Sequence, residues 1–398
     1  MSTTNRTTRR TVRISRAAAA CAALAVGASA VIGTAPAKAT PATAATACTA
    51  AKLSVGTTLE VKIGQMFMVG TPATGASSTL LNQMATYHVG NVFLSGRSYG
   101  GVGQVAQVTS AIRARATAAN TQSIRPFIAT DQEGGNVQVL QGAGFSTIPT
   151  ALSQGSNPNL YAASQGWAQQ LKSAGVNMNL APVADTVPAS LGRNNPPIGY
   201  WYREYGYTPS LVSVRSNAFS WGMRTMGVAS TAKHFPGLGL VRANTDNTAN
   251  VHDTQTATTG TYSSYLDPFR LAASQGTPFM MMSSAIYDRI DPLRPAVFSP
   301  GIIQNVLRGQ IGFGGVVISD DLGVAAAVTP WSYGYRAYYA VNAGVQMLLT
   351  VTPNAVPAMY QAVLEHARTD ASFRNKVNVA ALQIYRAKQA YGLLPPTC

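Results

Sequence analysis

Eight short apolar segments, separated by helical patterns, constrain the fold of this chain more than any other feature of its sequence. Each segment is five or six residues long and is bounded by Gly, Pro or polar residues; the segments are 66–70, 89–94, 126–130, 176–180, 227–232, 279–284, 315–319 and 345–350. A predominantly apolar run of this length is typical of a parallel strand with both faces buried. We therefore predict eight buried strands.

Helical periodicity fills most of the intervals between these segments. It is present at 102–119, 160–174, 211–226, 302–307 and 356–368, and in a last long pattern at 371–391. Strands that alternate with helices in this way predict an α/β fold, a (β/α)8 barrel of the TIM type that forms a single catalytic domain. A doubly wound open sheet is the alternative, but its usual G-x-G-x-x-G turn is absent from the sequence.

The N-terminal segment has the composition of a secretory signal peptide. Residues 1–16 contain five arginines and no acidic residue, residues 17–32 are apolar, and A-x-A sites follow within 35–39. A basic head, an apolar middle and a small-residue end are typical of cleavable export signals. We therefore expect a secreted protein, extracellular or associated with the cell wall, with a signal peptide at 1–39, a linker rich in Ala and Thr at 40–56 and the barrel at 57–398.

Cysteine usage agrees with export. Cys21 would leave with the signal peptide, so the mature chain keeps Cys48 and Cys398. In an oxidising compartment, two cysteines near opposite ends of a chain predict a disulfide that joins them. Two free thiols are the alternative.

The charge of the chain limits its partners. Removal of residues 1–39 takes six of the 29 basic residues and none of the 14 acidic ones, which lowers the net charge from +15 to +9. This surplus either favours an anionic cell-wall polymer or serves solubility alone. Basic and aromatic residues do not interleave in a stripe, so we do not expect nucleic-acid binding. We expect a monomer with no transmembrane segment once the signal is removed.

Polar residues follow four of the predicted strands at the point where each strand ends. The carboxyl ends of parallel barrel strands meet at one face, where active sites of such barrels are built. We expect functional roles for Asp131 and Asp320, the first acids after the third and seventh strands. For Asp185 and Asp321 we expect a helix cap or an Arg partner. The residues concerned are Asp131, Asp185, the pair Lys233 and His234, and the pair Asp320 and Asp321.

Other kinds of site lack support in the sequence. There is no H-E-x-x-H, no Cys/His cluster, no P-loop and no G-x-S-x-G motif, so neither a metal nor a nucleotide cofactor is expected. Carboxylates bind sugar hydroxyls and aromatic rings stack on sugar faces, so the acidic barrel mouth favours a carbohydrate. The aromatic residues 200–202 could stack on such a sugar or could equally pack within their own loop.

Together these motifs resemble glycoside hydrolase family 3, in particular its single-domain bacterial β-N-acetylhexosaminidases. The resemblance covers most of the mature chain and rests on four segments in the same order, which are 62–70, 131–135, 233–237 and 315–322. It implies a barrel without the C-terminal sandwich domain, a carbohydrate substrate and no cofactor.

The resemblance also implies residue roles. Members of the family hydrolyse a β-linked sugar with retention, through a covalent glycosyl-enzyme. Asp320, the first acid after its strand, matches the nucleophile of the family. The positions that hold the hydroxyls of the non-reducing sugar match Asp131, Arg203, Lys233 and His234.

The proton-transfer group departs from the family pattern, in which an Asp-x-His pair follows the KHFPG segment. Asp246 matches the Asp, but Thr248 stands at the His position, and a Thr hydroxyl cannot act as an acid near neutral pH. The candidates for general acid/base are therefore Asp246, Asp253, His252 and Glu204. Further departures are Leu238 and Ser284, each in place of a His, and Asn136 in place of an Arg.

The sequence thus predicts an exported retaining glycoside hydrolase that removes terminal β-linked N-acetylglucosamine or a related β-sugar, with peptidoglycan fragments as a candidate source. Asp320 and Asp246 are the predicted catalytic residues. The alternative is a catalytically impaired sugar-binding pseudoenzyme of the cell wall, because the loss of general acid–base catalysis costs a rate factor of about 10²–10⁴.

Overall fold

A barrel of eight parallel strands forms the centre of the computed structural model, which describes residues 47–398. Each strand from β1 to β6 pairs with the next, and β8 pairs with β1. A parallel bridge between Ile318 and Met347 joins the remaining two strands. The strands are β1 (Phe67–Pro72), β2 (Asn91–Ser95), β3 (Phe127–Thr130), β4 (Met178–Asn179), β5 (Ala229–Phe235), β6 (Phe279–Met282), β7 (Val316–Ser319) and β8 (Leu348–Thr350).

The predicted barrel is confirmed, because every predicted strand segment overlaps one observed strand. Most of the strand residues are buried, as expected when helices cover the outside of a parallel barrel. One strand is longer than predicted: β5 continues to Phe235, so Lys233 and His234 lie within its carboxyl end rather than after it.

Helices alternate with the strands. The predicted helices are all present with shifted ends. The periodicity missed six short ones, at 50–56, 59–65, 78–86, 151–155, 267–274 and 333–343. Side chains mark several starts; Thr208, for example, accepts a hydrogen bond from the Leu211 N–H at the start of α8. The helices are α1 (Ala50–Gly56), α2 (Leu59–Gln65), α3 (Ser78–Thr86), α4 (Gly101–Arg113), α5 (Ala118–Thr121), α6 (Ala151–Gly155), α7 (Leu160–Ser173), α8 (Pro209–Thr225), α9 (Asp267–Ser274), a π-helix (Gly301–Gln310), α10 (Tyr333–Ala343), α11 (Val356–Thr369) and α12 (Ala371–Ala390).

The predicted linker is wrong from residue 50 onwards, because that segment forms α1. Thr49 caps this helix, and Leu53 is buried in a small cluster with Tyr385 of α12. Cys48 belongs to the same cluster and forms the predicted disulfide with Cys398. The predicted signal peptide at 1–39 and the first part of the linker lie outside the described residues. Between residues 47 and 398, no helix is both long and apolar enough to span a bilayer.

Candidate active site

A pocket of about 300 Å³ opens at the carboxyl ends of the strands and is lined by all six residues that the sequence assigned to catalysis or substrate binding. These residues come from β5 and from the loops after β3, β4, β5 and β7, so widely separated segments of the chain meet there. They are Asp131, Arg203, Lys233, His234, Asp246 and Asp320.

A buried acid that the sequence analysis left without a role organises one wall of the pocket. Glu133 is 3% exposed and accepts two hydrogen bonds from Arg203, at 2.9 Å from Nε and 2.8 Å from Nη2. The Lys233 Nζ lies 2.6 Å from Glu133 Oε1 and also 2.6 Å from Asp131 Oδ1. Glu133 therefore holds both cations in place, and Lys233 links it to Asp131 at the pocket surface.

The local sequence explains why Glu133 turns inward. It lies on a short strand, Gln132–Gly134, which folds back on Val137–Gln138 through a tight turn. Gly134 and Gly135 have φ values of 107° and 56°, a backbone region that favours glycine. A side chain on Gly134 would also lie 2.2 Å from the Pro149 carbonyl oxygen. The two glycines that follow the acid thus make this hairpin possible.

Neighbouring charges shift the pKa values of the ionisable groups in this wall. Burial raises the pKa of Glu133, but the positive charges of Arg203 and Lys233 outweigh it and lower that pKa to about 2. Burial opposes the charge on Lys233, whereas Asp131 and Glu133 raise its pKa. The wall therefore presents a charged ammonium group and a carboxylate to the pocket, which suits the hydroxyl groups of a sugar.

His234 is oriented by Asp185, whose side chain is fully buried. Asp185 Oδ2 lies 2.7 Å from His234 Nδ1, and Oδ1 accepts hydrogen bonds from the backbone N–H groups of His234 and Leu238. The imidazole Nδ1 thus interacts with Asp185, and Nε2 remains available to the pocket. Asp185 has neither the helix cap nor the Arg partner that we expected, and instead it positions a pocket residue.

The two acids after β7 have different surroundings. Asp321 accepts hydrogen bonds from four backbone N–H groups, those of Gly323, Val324, Ala325 and Val351, and so holds the loop in shape. Asp320 lines the pocket and accepts one, from the Asp321 N–H at 2.8 Å. Burial raises the pKa of Asp320 to about 6; His234 lowers it and the negative charge of Asp246 adds to the rise.

Among the four candidates for general acid/base, Asp246 lines the pocket and the other three do not. Its loop is held against the loop after β7, because the Ala326 N–H donates to the Asp246 carbonyl oxygen at 3.0 Å. Glu204 is buried, and burial raises its pKa to about 7. Asp253 is buried and bound to Thr256, and His252 pairs with Asp288 at 2.6 Å on the surface.

Two further expectations concern the surroundings of the pocket. Tyr200 and Trp201 are exposed and do not line it, and the Arg193 guanidinium lies over the Tyr200 and Tyr202 rings at 4.7 and 5.4 Å from their centres. Tyr200 and Tyr202 therefore pack on an arginine outside the pocket, and Trp201 packs on Tyr200. Within residues 47–398, no three His, Cys, Asp or Glu side chains converge as a metal ion requires.

Comparison with known proteins places this site in a family. Residues 58–387 match the profile of the glycosyl hydrolase family 3 N-terminal domain. Beta-hexosaminidases of Alkalilimnicola ehrlichii and Xanthomonas oryzae pv. oryzae are 36% and 32% identical to the chain, over 73% and 75% of its length and 82% and 87% of theirs.

Solved structures agree with this assignment. The crystal structure of a beta-N-acetylhexosaminidase from Beutenbergia cavernae superposes with a TM-score of 0.82 at 44% identity, covering 84% of this chain and 99% of that one. A family 3 beta-N-acetylglucosaminidase from Paenibacillus sp. gives a TM-score of 0.76 at 28% identity, with coverage of 85% and 63%. The chain belongs to glycosyl hydrolase family 3.

Proposed function

We propose that this glycosidase removes terminal β-linked N-acetylglucosamine, or a closely related β-N-acetylhexosamine, with retention of configuration. The observation that carries the proposal is the pair of carboxylates, Asp320 and Asp246, in one pocket beside the cations Lys233 and Arg203. A retaining glycosidase needs two such carboxyl groups, one as nucleophile and one as acid/base. The beta-hexosaminidases among the relatives support the choice of sugar.

In the first step, Asp320 attacks the anomeric carbon and the bond to the leaving oxygen breaks, while the Asp246 carboxyl protonates that oxygen. In the second step, the Asp246 carboxylate removes a proton from water, which attacks the same carbon and releases Asp320. Lys233 and Asp131 bind hydroxyl groups of the sugar, and His234 presents Nε2 toward the reacting end. Thr248 has no part in this scheme, because its hydroxyl donates to Asn247 and does not line the pocket.

The test is hydrolysis of 4-nitrophenyl β-N-acetylglucosaminide by the purified protein. Asp320→Asn should abolish turnover, and the exposed Asp267→Asn, outside the pocket, is the matched control that should retain it. A slow fluorinated substrate should leave a covalent sugar on the peptide that contains Asp320. Wild-type turnover by Asp320→Asn would refute the nucleophile, and saturable sugar binding without any turnover would favour the pseudoenzyme, which the comparisons do not support.

A comparison of two substrates with different leaving groups tests the role of Asp246 as acid/base. A nitrophenolate leaves without protonation, whereas the alcohol of a disaccharide does not. Asp246→Asn should therefore lose much more activity on the disaccharide than on the nitrophenyl sugar, and added azide should restore turnover by attacking the accumulated glycosyl-enzyme. Equal losses on the two substrates, with no effect of azide, would exclude Asp246 as the acid/base.

We propose in addition that the protein is exported and acts on fragments of cell-wall glycan. The signal-like composition of residues 1–39 supports export, and the disulfide between Cys48 and Cys398 suits an oxidising compartment. Mass determination of the protein from the culture medium should find a new N-terminus near residue 40. Retention of the full-length chain inside the cell would refute export.

A further inference from the structure

Four cationic side chains lie together at the end of the barrel opposite the active site. Arg113, Lys172 and Arg224 are at the C-terminal ends of α4, α7 and α8, and Arg125 lies two residues before the start of β3. Helices of this barrel end where the strands begin, so all four groups belong to the amino-terminal face. None of them lines the active-site pocket. We call these four residues the basic surface.

Contacts show that the basic surface is continuous. Arg113 donates to the Gly175 carbonyl oxygen at 3.2 Å, just beyond the helix that carries Lys172. Lys172 and Arg224 line one cavity of about 670 Å³, and its rim also includes Gly392, whose carbonyl oxygen accepts from Arg125. The positive charge of Arg125 contributes, after burial, to a lowered pKa of Arg113, as expected for neighbouring cations.

No carboxylate lines this cavity. It is lined by two cations and by neutral residues that include Trp221, which is 44% exposed and has the Arg224 guanidinium 5.2 Å from the centre of its ring. Cations at helix C-termini do interact favourably with the helix dipole. That effect accounts for each of the four cations taken singly, Arg125 included, since its guanidinium donates to the Gly392 carbonyl oxygen just beyond α12. It does not account for the absence of acids along the cavity.

We propose that the basic surface binds a linear polyanion that carries its charges as phosphate groups. Arg and Lys are the side chains that bind phosphate best. Packed helices lie about 8–10 Å apart, and α7 packs against both α4 and α8. Cations at the ends of these three neighbouring helices therefore form a row that suits successive charges of a chain. The concave cavity also fits a polymer strand, whereas a membrane surface requires a convex or flat contact. This inference does not depend on the proposed hydrolysis.

The experiment measures binding of the full-length protein to labelled long-chain inorganic polyphosphate over a series of salt concentrations. The double variant Lys172→Glu/Arg224→Glu should bind at least about tenfold more weakly, as expected for charge reversal at a contact. The matched control Arg289→Glu/Arg294→Glu changes the net charge equally on exposed residues of the loop after β6, and should bind nearly as wild type. Turnover of the nitrophenyl sugar should be unchanged in both.

Thermal unfolding of each variant separates binding from helix capping. Lys172→Gln/Arg224→Gln removes the charges without adding repulsion, and it should still lose affinity even if the first variant unfolds early. Equal loss of binding in the control variant would show that net charge alone acts, which overturns the proposal. Failure of the wild type to bind polyphosphate, or tighter binding to anionic phospholipid vesicles with the same dependence on Lys172 and Arg224, would overturn it as well.

Discussion

Replacement of Glu133 by Gln should destabilise the folded protein by about 3 kcal/mol at pH 7. The carboxylate is buried between Arg203 and Lys233, with contacts of 2.6–2.9 Å to both. Gln has nearly the same shape but no charge, so the variant leaves Arg203 without a counter-ion and Lys233 with Asp131 alone. Removal of one partner from a buried ion pair is costly because the other charge stays away from water.

The magnitude follows from the pKa of the acid. Burial raises it, yet Arg203 and Lys233 bring it from 4.5 to about 2. Each unit corresponds to about 1.4 kcal/mol, so the ionised form contributes about 3 kcal/mol to folding. A carboxyl group whose pKa is lower in the folded state stabilises the protein fully above its unfolded value, and this stabilisation is lost as the pH falls toward about 2.

Urea unfolding followed by circular dichroism measures this difference. At pH 7, Glu133→Gln should show the full loss, and the gap between variant and wild type should narrow below about pH 4.5. Asp267→Asn is the control, because its exposed pair with Arg270 at 3.9 Å is worth at most about 0.5 kcal/mol. If Glu133→Gln unfolds within about 1 kcal/mol of wild type at pH 7, the argument that Glu133 holds the two cations is refuted.

Three further predictions concern the pocket and the chain ends. Because Asp320 must be ionised to attack and its pKa is raised to about 6, kcat/KM should fall as the pH drops below about 6; a rate that stays flat to about pH 4.5 would contradict this. Asp185→Asn removes one of three hydrogen bonds that hold His234 and its loop, so kcat/KM should fall about 10- to 100-fold with an unchanged circular dichroism spectrum; an unaltered kcat/KM would exclude a positioning role. Cys48→Ser opens a loop whose ends are 350 residues apart and should lower the free energy of unfolding by up to about 6 kcal/mol; an unchanged urea midpoint would contradict the entropic argument.

Local patterns were sufficient for the barrel. Each buried strand has to be apolar along its whole length, and this property can be recognised from consecutive residues of the sequence. The missed helices are short, from five to eleven residues, so each contains too few turns for its periodicity to stand out in the sequence. The linker prediction failed at α1 because Ala-rich sequence is compatible with both a flexible segment and a helix, and burial of Leu53 selects the helix.

The sequence by itself also determined which residues meet in the pocket, because the carboxyl ends of parallel barrel strands must lie at one face. Only the tertiary structure decided their partners. It places Glu133 between Arg203 and Lys233, Asp185 under His234, and Asp246 rather than Glu204, Asp253 or His252 in the pocket. Loops have no periodicity that predicts their path. Contacts between residues 49 to 102 positions apart form only when the strands that carry them are packed side by side.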